Sequence, residues 1–429
     1  MKRLSALGLA LFLGAAAQAQ PQSAPPLLDR ELFFGNPEIA SATISPDGQY
    51  VAFLKPWKDT RNVWVKKTTE PYEAARLVTA ETKRPIPNFF WTRDSRALLF
   101  VQDKDGDENF NVYAVDPKAM AETGKDAPAA RNITDAKGAR AFIYSVPKSD
   151  PDSIFVGLND RDAAWHDLYK VSISTGKREL LRKNTEKVSG WVFDQAGKLR
   201  LAMRTADNGD TEILRVDAET FTRIYSCTVF EGCGPTRFHK DGKRVYMETN
   251  KGDKDLSSLI LLDPVTGQEE LVEADPMKRV DFGQAIFSEA SDDLIGTAYI
   301  DDRARIYFKD PAWAADYKLL QGKFPGRDVS LGSSTADDRL VMITASGDTD
   351  PGERFLFDRT TKKLTSQYKV RERIPREHMA EMKPLRYASS DGLEIPAFLT
   401  LPKGMPARAL PLIVVPHGGP WARDGWGFN

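Results

Sequence analysis

Short apolar runs separated by polar turns recur along most of the chain. Residues 50–54 (Tyr-Val-Ala-Phe-Leu), 62–66 (Asn-Val-Trp-Val-Lys) and 75–79 (Ala-Arg-Leu-Val-Thr) follow the turn Ser45-Pro46-Asp47-Gly48. Their β-branched and aromatic content, bounded by Asp, Gly and Pro, predicts strands joined by tight turns. A second copy turns at Trp91-Thr92-Arg93-Asp94-Ser95 and continues with strands over 97–101 and 110–115. Later copies turn at Asp152, Asp194, Asp241, Asp292 and Asp337, about 48 residues apart on average. A repeated four-stranded unit of that length predicts a β-propeller, because one sheet cannot cover both its faces and blades must stack on one another. The count over residues 39–368 is seven blades. The last has strands of its own at 340–344, 354–358 and 363–368, so the ring is expected to close by side-chain packing alone, with no strand borrowed from the N-terminus.

After residue 368 the texture changes. Residues 371–382 are charged and lack alternation, and Glu377, Met379 and Met382 stand at helical spacing, which predicts a linker helix. Residues 385–388 and 395–401 flank Ser389-Ser390-Asp391-Gly392, an expected hairpin. Residues 412–415 (Leu-Ile-Val-Val) form an unbroken aliphatic run, the pattern of a strand buried on both faces of a parallel sheet, and His417-Gly418-Gly419-Pro420 follows at once. Glycines after such a strand let the backbone turn with its N–H groups exposed, where they can stabilise an oxyanion. The predicted fold is therefore an all-β seven-bladed β-propeller followed by the first strands of an incomplete α/β-hydrolase domain. It divides into 1–19 (signal peptide), 20–38 (N-terminal segment), 39–368 (propeller) and 369–429 (linker helix and start of the hydrolase domain).

Composition narrows the setting. Lys and Arg total 60 against 61 Asp and Glu, so no nucleic-acid partner is implied. Mean hydropathy is −0.43, that of a soluble globular protein. Lys2 and Arg3, an apolar stretch over 4–17 and Ala17-Gln18-Ala19 read as a signal peptide cleaved after Ala19, which predicts a periplasmic or secreted protein. With the leader gone the formal net charge moves from −1 to −3. No other run approaches the roughly 18 apolar residues of a spanning helix, so no membrane insertion is expected after cleavage. The only two cysteines, Cys227 and Cys233, flank a Gly-containing loop and are expected to form a disulfide that pins one loop.

The repeat, then Ser389-Ser390-Asp391-Gly392-Leu393-Glu394-Ile395-Pro396-Ala397, then the segment 410–424 with His417-Gly418-Gly419-Pro420, together resemble the prolyl oligopeptidase family of serine peptidases. Within it the likeness is to bacterial acylaminoacyl-peptidase and dipeptidyl-peptidase-like members. The resemblance covers the whole mature chain; the propeller by itself is weakly specific, and the strand with its His-Gly-Gly-Pro carries the identification. It implies an α/β-hydrolase domain with a Ser-Asp-His triad acting on short peptides, without cofactor or metal. No Gly-x-Ser-x-Gly motif occurs here. The nearest string, Gly332-Ser333-Ser334-Thr335-Ala336, lacks the last glycine and falls at a blade boundary. The triad is thus expected beyond this chain, and the chain alone is expected to be inactive. The family's prolyl-specific members use a tyrosine hydroxyl where His417 stands. This leaves an imidazole donor, backbone donors around His417 and Gly418, or a merely loop-shaping histidine. Arg423 and Asp424 either brace that loop or form a surface pair.

Other candidates have plainer explanations. Asp103-Lys104-Asp105-Gly106-Asp107-Glu108-Asn109 resembles a calcium loop, but its glycine is at the wrong offset. Similar acidic turns at 207–210, 251–255 and 346–350 point to hairpin chemistry. Through the resemblance, Glu108 and Asn109 are candidates to face substrate. Dipeptidyl-cleaving relatives grip the free amino terminus with propeller glutamates that match no definite position here. His166, His239 and His378 have no metal-ligand spacing. The alternative to a peptidase is a stand-alone exported propeller that binds a partner.

Overall fold

The computed structural model describes residues 26–218, 220–419 and 422–428; the predicted signal peptide lies outside them. Seven antiparallel sheets follow one another along the chain, forming a seven-bladed β-propeller. The first blade is Ala40–Ile44, Tyr50–Trp57, Thr60–Lys67 and Arg76–Leu77. The seventh is Asp328–Ser334, Leu340–Ser346, Glu353–Asp358 and Lys363–Lys369.

Period-two alternation explains why these strands stack as blades. On Tyr50–Trp57, Val51 and Phe53 pack against blade 7, whereas Ala52 and Leu54 pack against blade 2. Leu98 and Phe100 point back to blade 1, and Leu99 points on to blade 3. Each middle strand is apolar on both faces because each face meets a neighbouring blade. The buried side chains fall into seven clusters, one at each blade interface. The ring closes between blades 1 and 7 without exchanging a strand. Closure is not by packing alone, however: the Ile44 N–H donates to Ser333 Oγ at 3.0 Å and the Ala336 N–H to the Pro46 carbonyl at 2.8 Å. Ser333, from the string that lacks the final glycine, is therefore a seam residue.

Three expectations need correction. Blade 6 has three strands, Gln284–Phe287, Leu294–Ile300 and Ala304–Phe308, followed by the helix Pro311–Lys323 in place of a fourth. Asp310 caps that helix by accepting from the Trp313 N–H at 2.9 Å, Pro311 fits its first turn, and Trp313 and Leu320 bury against blade 7. The linker helix is a single 3-10 turn, Arg376–His378, because Pro375 and the strand that starts at Met382 leave no room for more. Residues 412–415 are not a buried strand: Leu412, Ile413, Val414 and Val415 are 82, 83, 73 and 80% exposed. Burial on both faces needs flanking strands, and none among the described residues pairs with them. After the propeller, the only paired strands among the described residues are the hairpin Met382–Ala388 with Glu394–Thr400.

Candidate functional site

Because the strands of each blade run antiparallel, the turns between second and third strands all lie on one face of the ring. The tail docks on that face, and the acidic turns hold it there. In blade 7, Asp348 Oδ2 accepts from the Met382 N–H at 2.8 Å. Asp350 pairs with Arg376 at 2.7 Å and with Arg327 at 2.9 Å. In blade 6, Arg386 of the hairpin reaches Asp301 and Asp302, each at 3.1 Å, and Glu394 at 3.0 Å. Trp426 donates its Nε1–H to the Met382 carbonyl at 2.8 Å and stacks under the Arg303 guanidinium, 3.5 Å from its ring centroid. The Phe428 N–H donates to the Gly347 carbonyl at 2.9 Å.

Between this tail and blade 7 lies a cavity of about 510 Å³ lined by Asp348, Arg376, Glu381, Lys383, Leu401 and Trp426. Its lining is mixed in charge, suited to a zwitterionic or hydrogen-bonding ligand rather than an apolar one. In blade 6, next to the Arg386 contact, stands a buried network. Asp275 accepts from Arg305 at 2.7 and 2.9 Å, and Arg305 also pairs with Asp301 at 3.1 Å, beneath Arg386. Burial alone would raise the Asp275 pKa. Arg305 and the N–H groups of Arg279, Met277 and Val280 reverse this and hold it well below the carboxylate range.

His417 lies on an exposed loop, its Nδ1 3.0 Å from Asp424 Oδ1. An imidazole that gives its Nδ1–H to Asp424 presents a bare Nε2, so only the imidazolium has a second N–H for an oxyanion. Gly418 is exposed, and a Cβ added there would meet nothing within 4 Å. Pro420 lies outside the described residues. Of the two readings open for Arg423 and Asp424, the contact fits bracing for Asp424, which meets the His417 ring from seven positions on.

The remaining candidates have structural duties. Asp103 takes Arg84 in a two-point ion pair, both contacts 3.1 Å. Asp107 accepts from the Lys104 and Asn109 N–H groups, both at 3.1 Å. Asp107 thus serves the turn itself, while Asp103 and Asp105 pair with Arg84 and Lys83 outside it, and no group of three or more His, Cys, Asp or Glu that could hold a metal occurs among the described residues. Glu108 donates its N–H to Asp103 Oδ2 within the same turn. His166 is half-buried against Gly157, His239 accepts from the Asp241 N–H, and His378 sits on the 3-10 turn. Cys227 and Cys233 are bonded, with Cα atoms 6.2 Å apart. No helix among the described residues is long and apolar enough to cross a membrane.

No family model matches the chain. Among curated proteins, dipeptidyl aminopeptidase BIII of Pseudoxanthomonas mexicana is 33% identical over 431 aligned positions, covering 96% of this chain and 60% of the relative. Dipeptidyl peptidase family member 6 of Caenorhabditis elegans is 24% identical, covering 94% of the chain and 58% of the relative. The chain thus spans about three-fifths of the length of the curated relatives it matches. Among solved structures, prolyl oligopeptidase B from Galerina marginata superposes with a TM-score of 0.58 at 14% identity over 86% of this chain and 56% of that one. A puromycin-hydrolyzing peptidase of Mycobacterium tuberculosis gives 0.56 at 11% identity over 89% and 62%. At such identities these likenesses speak for the fold.

Proposed function

This chain belongs with the prolyl oligopeptidase family, and from that premise we propose that it is the propeller-bearing part of an exported serine peptidase that removes dipeptides from short peptides. The observation that carries this reading is the 33% identity to a dipeptidyl aminopeptidase over 96% of the chain. A dipeptide-releasing enzyme must recognise a free amino terminus, and the tail face offers Asp348 and Glu381 at the cavity wall for an ammonium group. The acylaminoacyl type would instead take a blocked terminus.

In this reading the Ser-Asp-His triad lies outside the 429 residues, which hold no Gly-x-Ser-x-Gly motif. The serine attacks the scissile carbonyl, and the His417–Gly418 loop supplies part of the oxyanion hole through a backbone N–H or the imidazolium braced by Asp424. The propeller admits short peptides and keeps folded proteins out. A stand-alone binding propeller is the second reading, favoured by the seven sheets all being present in this chain.

Both are tested by expressing the uninterrupted reading frame beside the 1–429 chain. The longer protein is expected to hydrolyse a dipeptidyl coumarin amide, to lose that activity when the amino terminus is acetylated, and to react with a fluorophosphonate. The 1–429 chain does neither. Within the longer protein His417→Ala lowers kcat by ~10²–10³ if the side chain is a donor, and little if the backbone does the work. No turnover and no fluorophosphonate labelling would leave the binding propeller standing.

A further inference from the structure

On the face of the ring away from the tail, turns from opposite sides of the propeller meet. Arg93 follows the inner strand of blade 2, Lys148 that of blade 3, and Glu289 and Asp292 that of blade 6. Arg93 Nη1 lies 3.1 Å from Glu289 Oε2. Lys148 Nζ lies 3.2 Å from the same carboxylate, 2.7 Å from Asp292 Oδ1 and 2.7 Å from the Glu289 carbonyl. Arg237, from blade 5, also pairs with Asp292. Blades 2 and 3 do not adjoin blade 6, so these contacts span the axis of the ring rather than a blade interface. Arg93, Lys148 and Glu289 themselves line a cavity of about 450 Å³ whose wall includes Thr43, Phe90 and Phe287.

The anionic side of the bridge is held in place. Buried Asp338 of blade 7 accepts the Glu289 N–H at 3.1 Å and the Ala290 N–H at 3.3 Å, and takes the Ser288 hydroxyl as well. The cationic side is steadied by Arg93 Nε donating to the Val146 carbonyl at 3.3 Å. A lone exposed ion pair contributes little. Here each carboxylate meets two cations, Lys148 meets both carboxylates, and the four charged side chains that cross the axis are about one-quarter to one-third exposed.

We infer that this bridge bolts the axial channel shut on the face away from the tail. The channel is then blind, and peptides reach it from the tail face. This last step rests on the peptidase reading; the bolt itself does not.

The test places cysteines at Arg93→Cys and Glu289→Cys in one chain, in which the native cysteines are already paired, and adds a short bismaleimide. The bolt predicts one linker per chain, joining both thiols, read by mass. Two linkers per chain would mean that the turns stand apart, and would overturn it. Should that variant fail to fold, Lys148→Cys with Asp292→Cys asks the same question. In the complete enzyme, bridging is expected to leave kcat/KM for a dipeptidyl amide within about two-fold, and a loss of about ten-fold or more would make this opening the entrance. A complete protein with no turnover at all would sink the peptidase reading, while the linker count would still decide the bolt.

Discussion

At the scale of single residues, the side chains with the strongest physical constraint are those that sequence pattern leaves anonymous. Asp275 is one aspartate among many in turns, yet its side chain is completely buried and takes two bonds from Arg305. Its folded-state pKa is depressed, so its contribution is fully present above the unfolded value near 4 and is lost as pH falls towards the folded one. Asp275→Asn is expected to cost about 3 kcal/mol at pH 7, because Arg305 is left short of a charge in a buried site. The deficit relative to the parent should narrow below about pH 4, and urea midpoints across that range check it. His417 is the converse case. Its place after an aliphatic run was legible, and Asp424 was among the residues that could brace its loop, but the choice between brace and surface pair was not, because a hydrogen bond across a loop leaves no periodicity.

At the scale of elements, alternation identified the middle strands of the blades, since each must present apolar groups to two neighbours. It failed where a different element does the same job. The helix Pro311–Lys323 covers blade 7 with Trp313 and Leu320 in the place of an outer strand, anchored by Asp316 to Arg359 at 2.8 Å. It failed again at residues 412–415, where an aliphatic run says what a segment would bury and nothing about whether a partner is present. The hairpin Met382–Ala388 with Glu394–Thr400 was legible from its Ser-Ser-Asp-Gly turn, but its docking was not. Arg386 ties it to Asp301 and Asp302 of blade 6. Arg386→Met should therefore raise amide exchange across 382–400 while leaving the propeller's melting temperature nearly unchanged. A global loss of stability would mean that the hairpin is integral to the ring, and exchange mass spectrometry with a thermal melt distinguishes the two.

For the whole molecule, the vulnerable place is the seam. Blades 1 and 7 share no strand and close through Ile44, Val51 and Phe53 against Met342, Leu356 and Tyr368, with Tyr72 edge-on to Tyr368. Phe53→Ala is expected to cost about 3–5 kcal/mol, as for other large core truncations. Amide exchange should rise first in blades 1 and 7 and last in blades 3 and 4; uniform acceleration would argue that the seam is no weaker than the other interfaces. What the sequence determined by itself is the local grammar: strands of period two, Asp-Gly turns and a repeat of about 48 residues, which together leave a ring of blades as the economical way to cover every sheet face. Tertiary structure decided which charges meet. The bolt between Arg93 and Glu289 joins residues 196 positions apart, and the Arg386 tie to Asp301 joins residues 85 apart. Such pairs form only when the ring brings distant turns to one axis or one face, and electrostatic contact depends on that distance in space, of which a residue's neighbours along the chain carry no trace.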